Sequence, residues 1–279
     1  MKKGRKWSTF VLLFIFFTGL SVMLYPSLSS YWNSKTQTKA IVDYEKMLAS
    51  IKPEDYTRLF DDAKEYNQKL AELDFPLIEY GKLDGYEELL DVTGTGILGY
   101  IKIEKINLEL PIYHGTSDEV LSHAVGHLEG SGLPIAGESV HSVLSAHRGL
   151  PTATLFTNLD HLEVGDVFTI TVLDKEITYQ VDQIKTVTPS DSTDLIIKSG
   201  ENMCTLLTCT PYGINSHRLL VRGSKIDSAS QRSLYIISDA YQIEPMIVTP
   251  IVALPIIMTL MIVVLFKPVK KDNLGDEFE

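Results

Sequence analysis

No charged residue occurs between Lys6 and Lys35, and residues 246–266 form a second uncharged, apolar run. Each run is near the roughly 20 residues that a helix needs to cross the hydrocarbon of a bilayer. A chain built this way has both ends committed before its middle folds. Lys2, Lys3, Arg5 and Lys6 precede the first run, and Lys267, Lys270 and Lys271 follow the second. Cations tend to stay on the cytoplasmic side, so both termini are expected inside the cell and the segment between the runs outside it, at the cell membrane. A cleaved leader would share this layout, but Tyr25-Pro26-Ser27-Leu28-Ser29-Ser30 contains no A-x-A site, and a retained anchor is expected. Pro250 and Pro255 within the second run are tolerated by membrane helices.

The formal charge is −11, and with four cations gathered at the N-terminus the middle of the chain is more acidic still. A nucleic-acid partner would demand a basic stripe, so none is expected. Acidic surface suits cationic or lysine-bearing partners, although it is commonly just solvated.

Only two cysteines occur, Cys204 and Cys209. Outside the cell a disulfide is the default. In a strand, however, a separation of five points the two side chains to opposite faces and holds their Cα atoms about 16 Å apart. A bridge needs them within about 7 Å, so both thiols are expected to be free. Cys204 reads as a small buried hydrophobe. Cys209, beside the turn residues Pro211 and Gly213, reads as exposed.

Between the first run and the middle of the chain, residues 36–50 and 53–73 carry apolar residues at helical spacing, broken at Lys52-Pro53. Residues 74–85, with Phe75-Pro76, Gly81 and Asp84-Gly85, read as an irregular loop, followed by a short helix over 86–90. This arm is expected to form a layer of its own. From Ile97 the texture changes to short β-branched or alternating runs bounded by Gly, Pro, Asn and Asp, at 97–103, 108–113, 140–145, 167–173, 175–187, 203–208 and 218–223. Helical insertions are expected at 118–125 and 156–159. The pattern indicates an antiparallel barrel or sandwich. The expected division is a cytoplasmic tail and anchor at 1–34, a helical arm and loop at 35–96, a β-barrel at 97–225, a linker at 226–244, a second span at 245–266 and a tail at 267–279.

Cys209 lies in Thr-Leu-Leu-Thr-Cys-Thr-Pro-Tyr (205–212), where a buried strand ends in a turn. A free thiol has a pKa near 8.5 and needs a base or a nearby cation to act as a nucleophile at neutral pH. His147, in Ser-Ala-His-Arg-Gly-Leu-Pro, follows a strand-like run and titrates in the useful range. Arg218, in Asn-Ser-His-Arg-Leu-Leu-Val-Arg-Gly, supplies a permanent cation with a rigid donor fork, suited to a carbonyl or an oxyanion. Arg222 competes for that role, since strand periodicity puts both arginines on one face. His123 and His127 stand at i, i+4, which on a helix is metal-ligand spacing, but the Glu of a zinc-protease helix is missing and no metal is expected. His114, His141, His161 and His217 have no distinctive setting. A papain-like motif is absent.

These three motifs, in this order, closely resemble the signatures of sortases, the cysteine transpeptidases (hydrolase-type cysteine peptidases) of Gram-positive bacteria. Gly126-His127-Leu128-Glu129-Gly130-Ser131-Gly132-Leu133-Pro134 is similar to another segment of that family, and the likeness runs from about Gly99 to Gly223. Two apolar spans and a helical arm further resemble class C, the pilus-assembling members. The resemblance implies a mainly β fold, an eight-stranded sortase-type barrel with short helices, preceded by a helical arm or lid and flanked by two transmembrane helices. It implies Cys209 as nucleophile, His147 as general acid and base, and Arg218 as the substrate-orienting, oxyanion-stabilising residue. It further implies cleavage of an LPxTG-like sorting signal through a thioester, transfer to a pilin lysine in pilus assembly, and no cofactor. Class C lids often place an Asp-Pro-aromatic tripeptide over the site. Here Asp74-Phe75-Pro76 has the order changed, and Asp84-Gly85-Tyr86 keeps Asp-x-aromatic spacing. Asp74, Phe75, Asp84, Tyr86 and Thr208 are therefore the substrate or lid candidates, and the 74–86 loop is expected near the cleft. The alternatives are a housekeeping member that joins surface proteins to cell-wall peptide, and an inactive membrane-tethered binding protein, against which the intact Cys209, His147 and Arg218 argue.

Overall fold

The computed structural model describes residues 2–226 and, beyond them, only residues 253, 255–259, 262 and 263. The expected linker and most of the second apolar run lie outside the described residues. The first helix, α1, runs without interruption over Lys2–Leu48, with Pro26 inside it. Anchor and first arm segment are thus one helix rather than two, and the stretch from Thr9 is long and apolar enough, by length and composition, to cross a membrane. Helix α2 covers Pro53–Ala71, opening with Pro at its first position, where a missing N–H costs nothing.

Eight strands follow: β1 (Ile97–Ile103), β2 (Leu108–His114), β3 (Val125–His127), β4 (Val140–Ser145), β5 (Val167–Val172), β6 (Lys175–Val187), β7 (Asn202–Thr210) and β8 (His217–Lys225). They close into a barrel in the order β1-β2-β3-β4-β7-β8-β6-β5. Seven of them fall on the runs read from sequence. The eighth, β3, starts at the last residue of the expected 118–125 helix, which is only one turn long, Asp118–Leu121. The barrel is also not wholly antiparallel, because β2 pairs with β3 and β4 with β7 in parallel. The 156–159 insertion is a 3-10 turn at Leu159–His161.

Alternation packs one face of each strand inward, with Ile101, Leu144, Phe168, Tyr179, Leu206 and Val221 among the buried residues. The arm is no separate layer. Ala63, Tyr66, Leu70, Tyr86 and Leu90 belong to the same core. Tyr44 donates its hydroxyl proton to the Leu98 carbonyl at 3.0 Å and accepts from the Leu173 N–H at 2.8 Å, tying α1 to β1 and to the turn between β5 and β6. Asn67 on α2 bonds both polar groups of the Leu133 backbone, at 3.1 and 2.7 Å. The 74–85 segment is not irregular throughout. It contains a single helical turn, Pro76–Glu79, continued by a 3-10 turn, Tyr80–Lys82.

Candidate active site

The site is built at one rim of the barrel by three neighbouring strands. Along β7, Cys204 and Leu206 point into the core, while Leu207 faces outward onto a small second cluster with Val143, Leu195 and Leu220. Cys209, two residues beyond Leu207, lies on that outer face and is half-buried, whereas Cys204 is fully buried; both are free thiols. Burial pushes the Cys204 thiol far above its ordinary range, so it stays protonated and inert.

Arg218 sits directly opposite Cys209 in the antiparallel register of β7 and β8. Opposed residues share a face, with Cβ atoms roughly 4.5–5.5 Å apart. Its Nη1 donates to the carbonyls of His217 and Asn215 at 3.2 and 3.4 Å, and it makes no ion pair among the described residues. Arg222 is settled differently. It lies level with Thr205 and is neutralised by Asp182 at 2.8 Å. Register, which periodicity cannot supply, separates the two arginines.

His147 follows the end of β4, half-buried. β4 and β7 run parallel with Ser145 opposite Leu207. Past that pair the main chain continues with Ala146 N–H donating to the Leu207 carbonyl at 3.2 Å. Thr208 then donates its hydroxyl proton to the Ala146 carbonyl at 2.7 Å, across the same separation of 62 residues. His147 is thereby brought level with Cys209. Thr208, a candidate substrate contact, is instead buried on the inner face, and its hydroxyl is spent on this backbone bond.

A cavity of about 500 Å³ adjoins Arg218 and is lined, among others, by Leu77, Tyr80, Glu129, Leu195 and Leu207. The 74–86 segment therefore does lie at the cleft, but through residues that the sequence did not single out. Leu77 packs on the outer cluster of Val143, Leu195 and Leu220. Gly130 has φ +81°, and a Cβ there would stand 2.8 Å from the Leu77 Cα and the Pro76 carbonyl oxygen, so glycine is what lets the segment come down. The segment Gly126–Pro134 held this signal, unread. Asp74, Phe75 and Asp84 are exposed, and neither aspartate pairs with Arg218.

Tyr86 is a correction of a different kind. It is buried beneath the rim rather than placed over it, with its hydroxyl 2.9 Å from His127 Nδ1 and accepting from the Gly115 N–H at 3.0 Å. His127 Nε2 lies 2.9 Å from the Gly132 carbonyl, which needs a donor, so Nδ1 accepts from Tyr86. Burial pulls the His127 pKa down to about 4. The expected His123/His127 pair on a helix does not form, since the helix ends at Leu121 and His127 belongs to β3. His141 bonds the Ile196 carbonyl and the Thr205 hydroxyl at 2.9 and 2.7 Å, a structural role.

A free thiol opposite a guanidinium, with an imidazole just past the end of the neighbouring strand, is a set of groups that can attack a carbonyl, hold an oxyanion and move a proton. The sortase domain model matches residues 101–226. The crystal structure of sortase C1 from Streptococcus agalactiae is 47% identical, covers 68% of this chain and 98% of its own, and superposes with a TM-score of 0.62. Sortase C from Streptococcus pneumoniae, whose structure is described as bearing on pilin substrate specificity, is 42% identical over 68% of this chain and 97% of its own, at TM-score 0.61. Clostridium perfringens sortase C, solved with the C-terminal cell wall sorting motif, is 42% identical over 68% of this chain and 99% of its own, at TM-score 0.59. Sortase D of Bacillus subtilis is 32% identical over 131 residues, and the match spans 46% of this chain and 63% of that one.

Proposed function

This chain belongs to the sortase family of cysteine transpeptidases, and we propose that Cys209, His147 and Arg218 carry its chemistry, with an LPxTG-like sorting signal as donor and a pilin lysine as acceptor. The observation that carries this reading is the meeting of three strand ends, Cys209 opposite Arg218 on one side and level with His147 on the other.

The Cys209 sulfur attacks the Thr carbonyl of the sorting signal, and the oxyanion that forms is held by the Arg218 guanidinium. Preorganised donors of this kind contribute about 2.7–4 kcal/mol. As the Thr–Gly amide bond breaks, the protonated His147 gives its proton to the departing Gly amine, leaving a thioester. The lysine Nζ of the next pilin then attacks the thioester carbonyl, passes a proton to His147, and expels the Cys209 thiolate, so an isopeptide bond replaces the peptide bond. No outside oxidant, reductant or metal enters this balance. The apolar floor of Leu207, Val143, Leu195 and Leu220 suits the Leu-Pro part of the signal, and Leu77 occupies that floor in this structure. We read the 76–82 segment as a cover that the signal displaces, and α1 as the anchor that keeps the barrel at the outer membrane surface.

The pilin part of the reading is supported by the sortase C neighbours, among them the one described with pilin substrate specificity. The test incubates the full chain in detergent with an LPxTG peptide and purified pilin, reading products by mass spectrometry. A Cys209 adduct resolved by a pilin lysine is the expected result. Transfer only to cell-wall peptide amines would move the enzyme to surface-protein anchoring, and activity retained by Cys209→Ala would overturn the mechanism.

A further inference from the structure

Arg148 directly follows His147, and its side chain is only 8% exposed. Its Nη1 donates to the Thr210 hydroxyl at 3.2 Å, its Nη2 pairs with Asp160, and its guanidinium lies 6.0 Å from the centre of the Tyr212 ring. Its Nε is buried with no hydrogen-bond partner. An unpartnered buried N–H costs about 1–3 kcal/mol, so this arrangement is poorly explained by stability alone.

The position of these contacts is informative. Thr210 is 62 residues from Arg148, the separation that also relates Ala146 to Thr208. The backbone ladder between β4 and β7 ends near Ala146 and Leu207. Beyond it, side chains continue the pairing, Thr208 to Ala146 before the His147 level and Arg148 to Thr210 after it. His147 and Cys209 sit on the rung between. Tyr212 is drawn into the same clamp, since Gly149 has φ +76° and a Cβ there would stand 3.0 Å from the Tyr212 ring.

We propose that Arg148 is a positioning residue that holds His147 level with Cys209 by clamping the His147 segment to Thr210 and to Asp160. Among the described residues no backbone bond joins the His147 segment to β7 beyond Ala146 and Leu207; the His147 carbonyl is taken instead by the Phe156 N–H at 3.2 Å. Arg148 acts through His147 and touches no substrate. The inference rests on the assignment of Cys209 and His147 above.

The experiment compares the full-length wild type with Arg148→Met, Arg148→Lys and Thr210→Val in an LPxTG cleavage assay, with thermal unfolding measured in parallel. A misplacement near 1 Å can cost about 100-fold in rate, so Arg148→Met is expected to lower kcat roughly 10- to 100-fold with KM within twofold, and Arg148→Lys to recover part of that loss. Thr210→Val is expected to lower kcat several-fold, and adding Arg148→Met to it should cost less than Arg148→Met costs alone. If Arg148→Met fails to fold, Thr210→Val, which removes one hydroxyl, decides. A kcat within twofold of wild type in the variant that decides, or full additivity of the two changes, overturns the proposal. A wild type no more active than Cys209→Ala would instead strike the assignment on which it rests.

Discussion

The rim that holds Cys209 and the 76–82 segment that we read as its cover are secured by opposite means. At the rim, polar bonds cross between strands: Thr208 to Ala146, Arg148 to Thr210, Arg148 to Asp160, with the register of β7 and β8 beneath. In the cover, the polar bonds turn back on the segment itself, as in Glu79 with Lys82 and with the Phe75 N–H. Its hold on the barrel is apolar, through Leu77 and Tyr80, while Phe75 and Ile78 stand 64% and 80% exposed. Directional bonds fix a geometry and apolar contact alone permits exchange with another apolar group, such as the side chains of a sorting signal.

The largest effect separates the two faces of β7. Cys209→Ala should abolish transpeptidation, a loss of about 10⁴-fold or more, as for other nucleophiles acting within a catalytic set. Cys204→Ala, five residues away and buried in the core, should leave kcat within about threefold and lower stability by roughly 1–2 kcal/mol through the space it vacates. Steady-state kinetics and thermal unfolding of both variants check this; equal losses of activity would erase the distinction between the faces.

A similar contrast holds along β8. Arg218→Ala should cost about 10²–10³ in kcat. Arg222→Ala, which breaks the pair with Asp182 away from the Cys209 level, should cost less than about threefold. If the two variants behaved alike, register would not be what selects the functional arginine.

Seven of the eight strands were legible because each carries enough β-branched or alternating residues to show a period of two. Val125–His127 is too short for any period, and the preceding Asp118–Leu121 turn offered a helical start, so the expected helix ran on to Val125 and no strand was read after it. The candidate site was readable as motifs because Cys209, His147 and Arg218 sit in distinctive local sequences. What was illegible is whatever depends on pairing between distant segments. Parallel pairing of β4 and β7 leaves no local mark, so Thr208 read as a substrate contact and Arg148 as nothing in particular. Tyr86 kept the spacing of a lid residue, yet its burial depends on His127, 41 residues later.

That buried contact ties the chain that follows the cover to the barrel, and acid should loosen it. His127 is held near pKa 4 in the folded chain against 6.5 when free. Between those values the unfolded chain binds a proton that the folded chain refuses, so stability is full above about pH 6.5 and falls as pH drops toward 4. The shift corresponds to about 3 kcal/mol from this residue alone. His114 and His141, also depressed by burial, act in the same direction. Denaturant unfolding of wild type and His127→Gln from pH 7 to 4 measures it. The variant should lose less stability across that range, and an equal loss would mean that His127 does not carry the effect.

The smallest effect is on the cover itself, and its sign is the informative part. Leu77→Ala removes most of the apolar contact between the Pro76–Glu79 turn and the floor formed by Val143, Leu195 and Leu220. The side chain is only half-buried, so about 1 kcal/mol of cover closure should go, which corresponds to roughly fivefold in the open population. Alkylation of Cys209 by a small neutral reagent such as iodoacetamide should then become faster by up to about fivefold, and the KM for a sorting peptide should fall. Every rim variant should move activity downward, so an increase here distinguishes a displaceable cover from a structural brace. Gly130→Ala should act in the same direction, because a Cβ at that position meets the Leu77 backbone and its positive φ resists any side chain. If both changes slowed alkylation or raised KM, the 76–82 segment would be part of the binding surface, and Leu77 a residue that holds the signal rather than one that yields to it.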